Sequence, residues 1–139
     1  MLSVVRRKGI SEDGAKRLWL ESFLSPDNGY SWYKLEEPTI NNNGNPPHMI
    51  RLKGGRIVLT YGHRDKPYGI RARISKDEGL TWGNEYILRN DGNSWDLGYT
   101  RTVQRSDGKL VTTYYFNVAG AKERHIAATI WDPEMVQPQ

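Results

Sequence analysis

The chain has no cysteine among its 139 residues, so a disulfide framework and a thiolate metal site are both excluded. Its three histidines, His48, His63 and His125, lie far apart without the spacing that holds zinc, and no metal is expected. No apolar run approaches the ~20 residues of a membrane helix, and no membrane partner is expected. The opening "MLSVVRRKGISEDG" lacks the apolar core of a signal peptide, so secretion finds no support there. The formal net charge of +4 comes from dispersed Lys and Arg with no basic block, which argues against a nucleic-acid partner. Helical periodicity is absent as well: apolar residues alternate or cluster in short runs.

What is abundant is indole and phenol. Five Trp and eight Tyr stand against two Phe, a skew that suits strands and equally suits a sugar-binding surface, which needs a flat face with a polar edge. The length fits one ordinary domain or a piece of a larger one.

"SPDNGYSW" (Ser25–Trp32) and "SKDEGLTW" (Ser75–Trp82) are the same octapeptide twice. Ser25/Ser75, Asp27/Asp77, Gly29/Gly79, Ser31/Thr81 and Trp32/Trp82 coincide when they are superposed. Between and around them the chain reads as short strands joined by turns. "RLWLESFLS" and "WYKLEEPTI" flank the first octapeptide, and "NNNGNPP" then breaks the chain. "HMIRL", "RIVLTYG", "GIRARIS" and "LTWGNEYILR" make a four-strand antiparallel meander; "YTRTVQR", "KLVTTYYFN" and "RHIAATIW" begin another, with Gly108 falling where Gly55 fell. Four-stranded units recurring at about 40–50 residues are the signature of propeller blades. The fold expected is all-β: residues 1–40 form a first blade without its first strand, 46–92 a complete second blade, and 97–139 a third without its last strand.

In such a meander the turns "PDNG", "KDEG", "KGG" and "SDG" lie at one end, and the remaining connections at the other. The octapeptide is explained by turn chemistry alone. Its Asp accepts backbone N–H groups, its Gly supplies a positive φ, and its Trp covers the hydrophobic layer. A structural role is therefore expected for Asp27 and Asp77, in preference to a catalytic one.

The pattern S-x-D-x-G-x-[ST]-W resembles the Asp box of the sialidase family, whose six-bladed β-propellers carry these boxes at the edge away from the active site. The resemblance spans nearly the whole chain. It implies about two and a half to three blades of such a propeller and a glycoside hydrolase that takes a terminal, acidic or neutral sugar without a cofactor. Sialidases hold the sugar carboxylate with three arginines and attack the anomeric carbon with a glutamate-activated tyrosine, while an aspartate is the acid/base. Arg suits that carboxylate because its planar fork donates two parallel hydrogen bonds. "GHRDKPYGIRARISKDEGLTW" is similar to the family's arginine at the end of a blade's second strand, which places Arg64 at a carboxylate-binding position. "GYTRTVQRSDG" is similar to the segment holding the nucleophile, which places Tyr99 there. Arg101 is the candidate for a further arginine.

The end opposite the octapeptides also collects Arg71 and Asp65 from the loop after "TYG", Asp96 before Tyr99, and His48 at the start of the second blade; His63 stands beside Arg64. Arg6 and Arg7 end their strand where Arg64 ends its own, and Asn117 does so in the third unit. A second reading stands beside each role. Arg64 and Arg71 pair with Asp65 or Asp96 on a solvated rim, Tyr99 packs on the channel wall, and the histidines are structural. The family's glutamate position is occupied by Asn45, Pro46, Pro47 and His48, and the segments bearing its first arginine and acid/base aspartate are absent. The competing function is accordingly a non-catalytic carbohydrate-binding or scaffold propeller. Propellers close with four to eight blades, so the chain is expected either to continue in a longer protein or to complete its ring by homo-oligomerisation, with two copies giving about six blades.

Overall fold

The computed structural model describes residues 1–10, 14–36, 46–121 and 123–135. Most of the "NNNGNPP" break and the end of the first expected unit lie outside the described residues. Within them the protein is all-β, with ten strands in three antiparallel sheets. The first sheet is β1 (Leu2–Ile10), β2 (Lys16–Leu24) and β3 (Tyr33–Lys34). The central sheet is β4 (His48–Arg51), β5 (Ile57–His63), β6 (Gly69–Ser75) and β7 (Tyr86–Arg89). The last is β8 (Gly98–Gln104), β9 (Leu110–Phe116) and β10 (His125–Trp131). In every sheet the strands pair in chain order, so each is a simple meander.

Period-2 alternation explains the packing. On β5, Ile57, Leu59 and Tyr61 share one face and Val58 and Thr60 the other, and all five are buried. The first set joins Leu20, Trp82, Leu2 and Val4 in a core between the first and central sheets. Val58 joins Leu52, Ala72, Ile74, Leu110 and Trp131 in a core between the central and last sheets. Ile70, Leu97, Tyr114 and Phe116 extend it toward the opposite end. The central sheet is therefore covered on both sides, and each fully buried aliphatic side chain contributes about 1.5–3 kcal/mol.

A polar seam fixes how the central and last sheets meet. Thr60 Oγ1 donates to Thr100 Oγ1 at 3.1 Å, lies 2.9 Å from Thr102 Oγ1, and Thr102 in turn lies 3.0 Å from Thr112 Oγ1. Trp131 Nε1 donates to Thr112 Oγ1 at 3.0 Å. These four threonines are buried, and each hydroxyl is hydrogen-bonded, so the seam holds register without leaving a polar group unmet.

Both octapeptides are turns. Asp27 Oδ1 accepts from the Ser25 hydroxyl at 2.8 Å and from Ser31 N–H at 2.8 Å; Asp77 does the same with Ser75 at 2.7 Å and Thr81 at 2.8 Å. Two successive residues are left-handed in each turn, Asn28 (φ 58°) with Gly29 and Glu78 (φ 62°) with Gly79, whereas the sequence suggested glycine alone. The second turn runs on to Gly83, whose N–H bonds Ile74 O at 2.9 Å. That is why the strand expected from Leu80 begins only at Tyr86. The turn lies beside the β4–β5 turn, where Arg51 bonds both Gly55 O and Glu78, and Lys53 N–H donates to Gln104 Oε1 at 2.9 Å. The loops following β5 and β9 emerge at the other end.

The bonds to Ser31, first its hydroxyl and then its N–H, hold Asp27 at about 2, below the ordinary 3.8. A carboxyl depressed on folding stabilises the protein above its unfolded value, and that contribution disappears as pH falls through the folded value. Urea midpoints should therefore fall between pH 4 and 2, and Asp27→Asn should flatten that acid limb; an unchanged limb would contradict the assignment.

Candidate functional site

At the end away from the octapeptides, the loop after β5, the segment before β8 and the side chains of β9 converge. Tyr115 lies at the middle. Because Tyr114 and Phe116 turn into the core, alternation sends Tyr115 to the other face of β9. Its hydroxyl donates to Asp96 Oδ1 at 2.7 Å and accepts from Arg64 Nη2 at 3.1 Å. Arg124 Nε closes on Asp96 Oδ2 at 2.6 Å. Arg64 also donates to Leu97 O at 3.4 Å, and its guanidinium lies 5.2 Å from the Trp95 ring centroid. Its Nε is buried with no hydrogen-bond partner, so the fork is only partly used. Tyr99 packs against Tyr115 with ring centroids 5.8 Å apart and stays 51% exposed.

Electrostatics separate the roles. The Tyr115 hydroxyl, helped by Arg124, holds Asp96 below the usual carboxylate range, so Asp96 is an anion at neutral pH and a poor proton donor. Burial, and then the bond to Asp96, pushes Tyr115 up to about 12, so that it remains a hydroxyl donor. Tyr99 has φ 51°, a conformation costly for a bulky residue, at an irregularity in β8–β9 pairing between Gly98 and Arg101. Such strain concentrates at functional positions.

Asn117 holds the approach to the site. Its Oδ1 accepts from Asn93 N–H and Ser94 N–H, each at 2.9 Å, while its Nδ2 donates to Asp96 O at 2.7 Å and Ser94 Oγ at 3.1 Å. Asn117→Ala should cost about 1–3 kcal/mol in urea denaturation, because Ser94 N–H loses its acceptor and Asn93 N–H keeps only the Asn117 carbonyl at 3.2 Å; Trp95 emission should shift to the red as well. A change below about 0.5 kcal/mol, the size of an ordinary surface substitution, would contradict that role.

Of the residues singled out from the sequence, Arg64, Asp96, Tyr99 and Asn117 come together here. The others lie apart. Asp65 is exposed on the loop beside Arg64. Arg71 is only 2% exposed, and its guanidinium donates to Pro67 O at 3.1 Å, to Ile70 O and to Arg89 O, with Glu85 3.3 Å from Nε. Arg101 is exposed on β8 and donates to the carbonyl of Thr100 at 2.9 Å. His48 lies on β4 against β8, where its Nδ1 accepts from Thr102 N–H at 3.1 Å. Burial, then Arg101, lowers its pKa, so the ring is neutral with its proton on Nε2. In that tautomer it offers a donor and no base. Burial likewise lowers His63.

Tyr115, Trp95 and Arg124 were not singled out from the sequence, where "TTYYFN" is expected to be a core strand. The alternation of buried Tyr114 and Phe116 was the available signal for Tyr115; nothing local marks Trp95 or Arg124. Beside this cluster, a hollow of about 620 Å3 opens between the same loops, with Pro67 and Tyr68 against Asp91 and Asn93. Among the described residues no group of His, Asp and Glu could hold a metal ion.

No family model matches the chain, and no curated protein matches it. Solved structures similar to the chain include the following two. A protein of unknown function from Dyadobacter fermentans is 33% identical over 94% of this chain and 38% of that chain, with a TM-score of 0.66. An endo-arabinase from Bacteroides thetaiotaomicron is 17% identical over 91% of this chain and 55% of that chain, with a TM-score of 0.51, a likeness of fold alone. The chain thus spans well under two thirds of the length of either protein.

Proposed function

We propose that this chain is a carbohydrate-recognising part of a sialidase-like, six-bladed β-propeller, in which Arg64 holds the carboxylate of a terminal acidic sugar. One observation carries the reading: the Arg64 guanidinium lies against the exposed Trp95 ring and bonds Tyr115, on which the exposed Tyr99 packs, and is steadied by the Tyr115–Asp96 pair. Aromatic faces stack on the apolar faces of sugars, and the fork supplies paired donors to a carboxylate. Asp96 is an acceptor for sugar hydroxyls within the cluster, and a longer glycan would meet further groups away from it, His48 Nε2–H on β4 and Arg101 on β8 as donors and Asp65 on the loop as an acceptor. Arg71 supports the loop from inside. The fold shared with an endo-arabinase supports a carbohydrate ligand in general terms.

Hydrolysis is favoured by one feature, the strained, exposed Tyr99. A phenol needs a base or neighbouring cations to become a nucleophile at neutral pH, and His48 in its observed tautomer is no base. Recognition is therefore the leading reading, with turnover the second. Calorimetric titration with an aryl sialoside, a uronoside and neutral aryl glycosides tests both. Binding should be confined to the acidic sugars, and Arg64→Ala should weaken it about 10–100-fold, as for loss of a charge-assisted hydrogen bond. Release of the aryl group that disappears in Tyr99→Phe would establish turnover; equal affinity for neutral glycosides would sink the carboxylate role of Arg64.

A further inference from the structure

Two large faces are left uncovered, and the repeat itself indicates what fits them. On the central sheet, Val58 pairs with Ile74, Thr60 with Ala72 and Gly62 with Ile70, and the face bearing these side chains is buried against the last sheet. On the last sheet, Val111 pairs with Ile130, Thr113 with Ala128 and Tyr115 with Ile126, so Val/Ile and Thr/Ala recur at the same register positions, with Tyr115 where Gly62 stood. There they are uncovered: Ile126 is 78%, Ile130 58% and the neighbouring Val103 61% exposed. The same positions on the first sheet hold Leu2 with Leu24, Val4 with Ser22 and Arg6 with Leu20. That face packs on Trp82 of the second octapeptide, which is 8% exposed. Trp32, the matching Trp of the first octapeptide, is 41% exposed on the far side of the first sheet.

We propose that a second copy of this chain covers both faces, head to tail. The Val111/Ile126/Ile130 face of each copy caps Trp32 of the other, as Leu2, Val4 and Leu20 cap Trp82 within one copy. The molecule carries one face of each kind, so a two-fold pair leaves neither exposed. Exposed apolar faces of this kind mark association surfaces. The choice of two copies rests on the propeller reading, since one copy supplies three sheets and closed propellers hold four to eight blades. The pairing of faces rests on register alone.

Sedimentation of the intact chain should give twice the 16.0 kDa protomer mass. Ile130→Lys and Trp32→Lys each remove one face and should each sediment as monomers that keep the far-ultraviolet spectrum of sheet. Mixed in equal amounts they should associate again, because one intact pairing survives in the mixed dimer. A wild-type monomer, a mass other than twice the protomer, indifference to both substitutions, or no association on mixing would overturn the proposal. A monomer that still binds acidic sugars would sink this inference and leave the recognition reading in place.

Discussion

Gly69→Ala should cost about 3 kcal/mol or more, at or above the top of the range for overpacking a packed interior, because the clash is with backbone. A Cβ at Gly69 would overlap the carbonyl oxygen of Arg89 and come within 2.6 Å of that carbonyl's carbon and of Arg71 Nη1. The first two are backbone atoms, and Arg71 Nη1, though the end of a side chain, is held by Ile70 O and Arg89 O. Arg89 O belongs to β7, which pairs with β6 at a register irregularity between Ile70 and Arg71, and the same oxygen accepts from buried Arg71. The substitution therefore drives β7 outward and strips the guanidinium of an acceptor at once. Against a total of about 5–15 kcal/mol for a small domain, the substitution removes a large share of the stability, and the urea midpoint should fall accordingly. Gly54→Ala is the control, since nothing lies within 4 Å of its Cβ position. Urea midpoints that fall equally for both would contradict the steric cause.

The second large effect is expected at Glu85. Burial in the first core pushes the Tyr61 phenol up, so it stays protonated, and it donates to Glu85 Oε2 at 2.6 Å. Arg71 Nε lies 3.3 Å from the other oxygen, with the Arg71 side chain 3% and that of Glu85 28% exposed. Glu85→Ala leaves the buried Tyr61 hydroxyl without its acceptor and the buried Arg71 guanidinium, still bonded to backbone carbonyls, without its countercharge. Breaking a buried pair from one side costs about 3–5 kcal/mol; water reaching the Glu85 side brings the expectation to about 2–3 kcal/mol. Glu85→Gln keeps an acceptor oxygen and should cost about 1 kcal/mol. Equal losses for the two variants would show that charge matters more than the accepted bonds.

The strands were legible wherever apolar residues alternate between turn formers. "GIRARIS" is β6 to the residue, and "RLWLESFLS", "RIVLTYG" and "KLVTTYYFN" are each displaced by a residue or so. Where the reading missed, long-range packing decided. Trp82 is core and Trp32 is not, though both end the same octapeptide, because only the central sheet has a neighbour on that side. The site was half legible. Arg64, Asp96 and Tyr99 could be named from turns and strand ends, but the residue that joins two of them, Tyr115, lies on another strand and was hidden in a run of aromatics. Arg71, next in the same stretch as Arg64, alternates inward, and only the packing of β7 over it shows where its donors go.

Five tryptophan indole N–H signals, from Trp19, Trp32, Trp82, Trp95 and Trp131, allow both ends of the molecule to be watched together in one nitrogen–proton spectrum. On titration with an acidic monosaccharide glycoside, the Trp95 signal should move in step with occupancy while those of Trp32 and Trp82 stay in place. Movement of the two octapeptide indoles with Trp95 unchanged would put the ligand at the wrong end of the sheets and contradict the site.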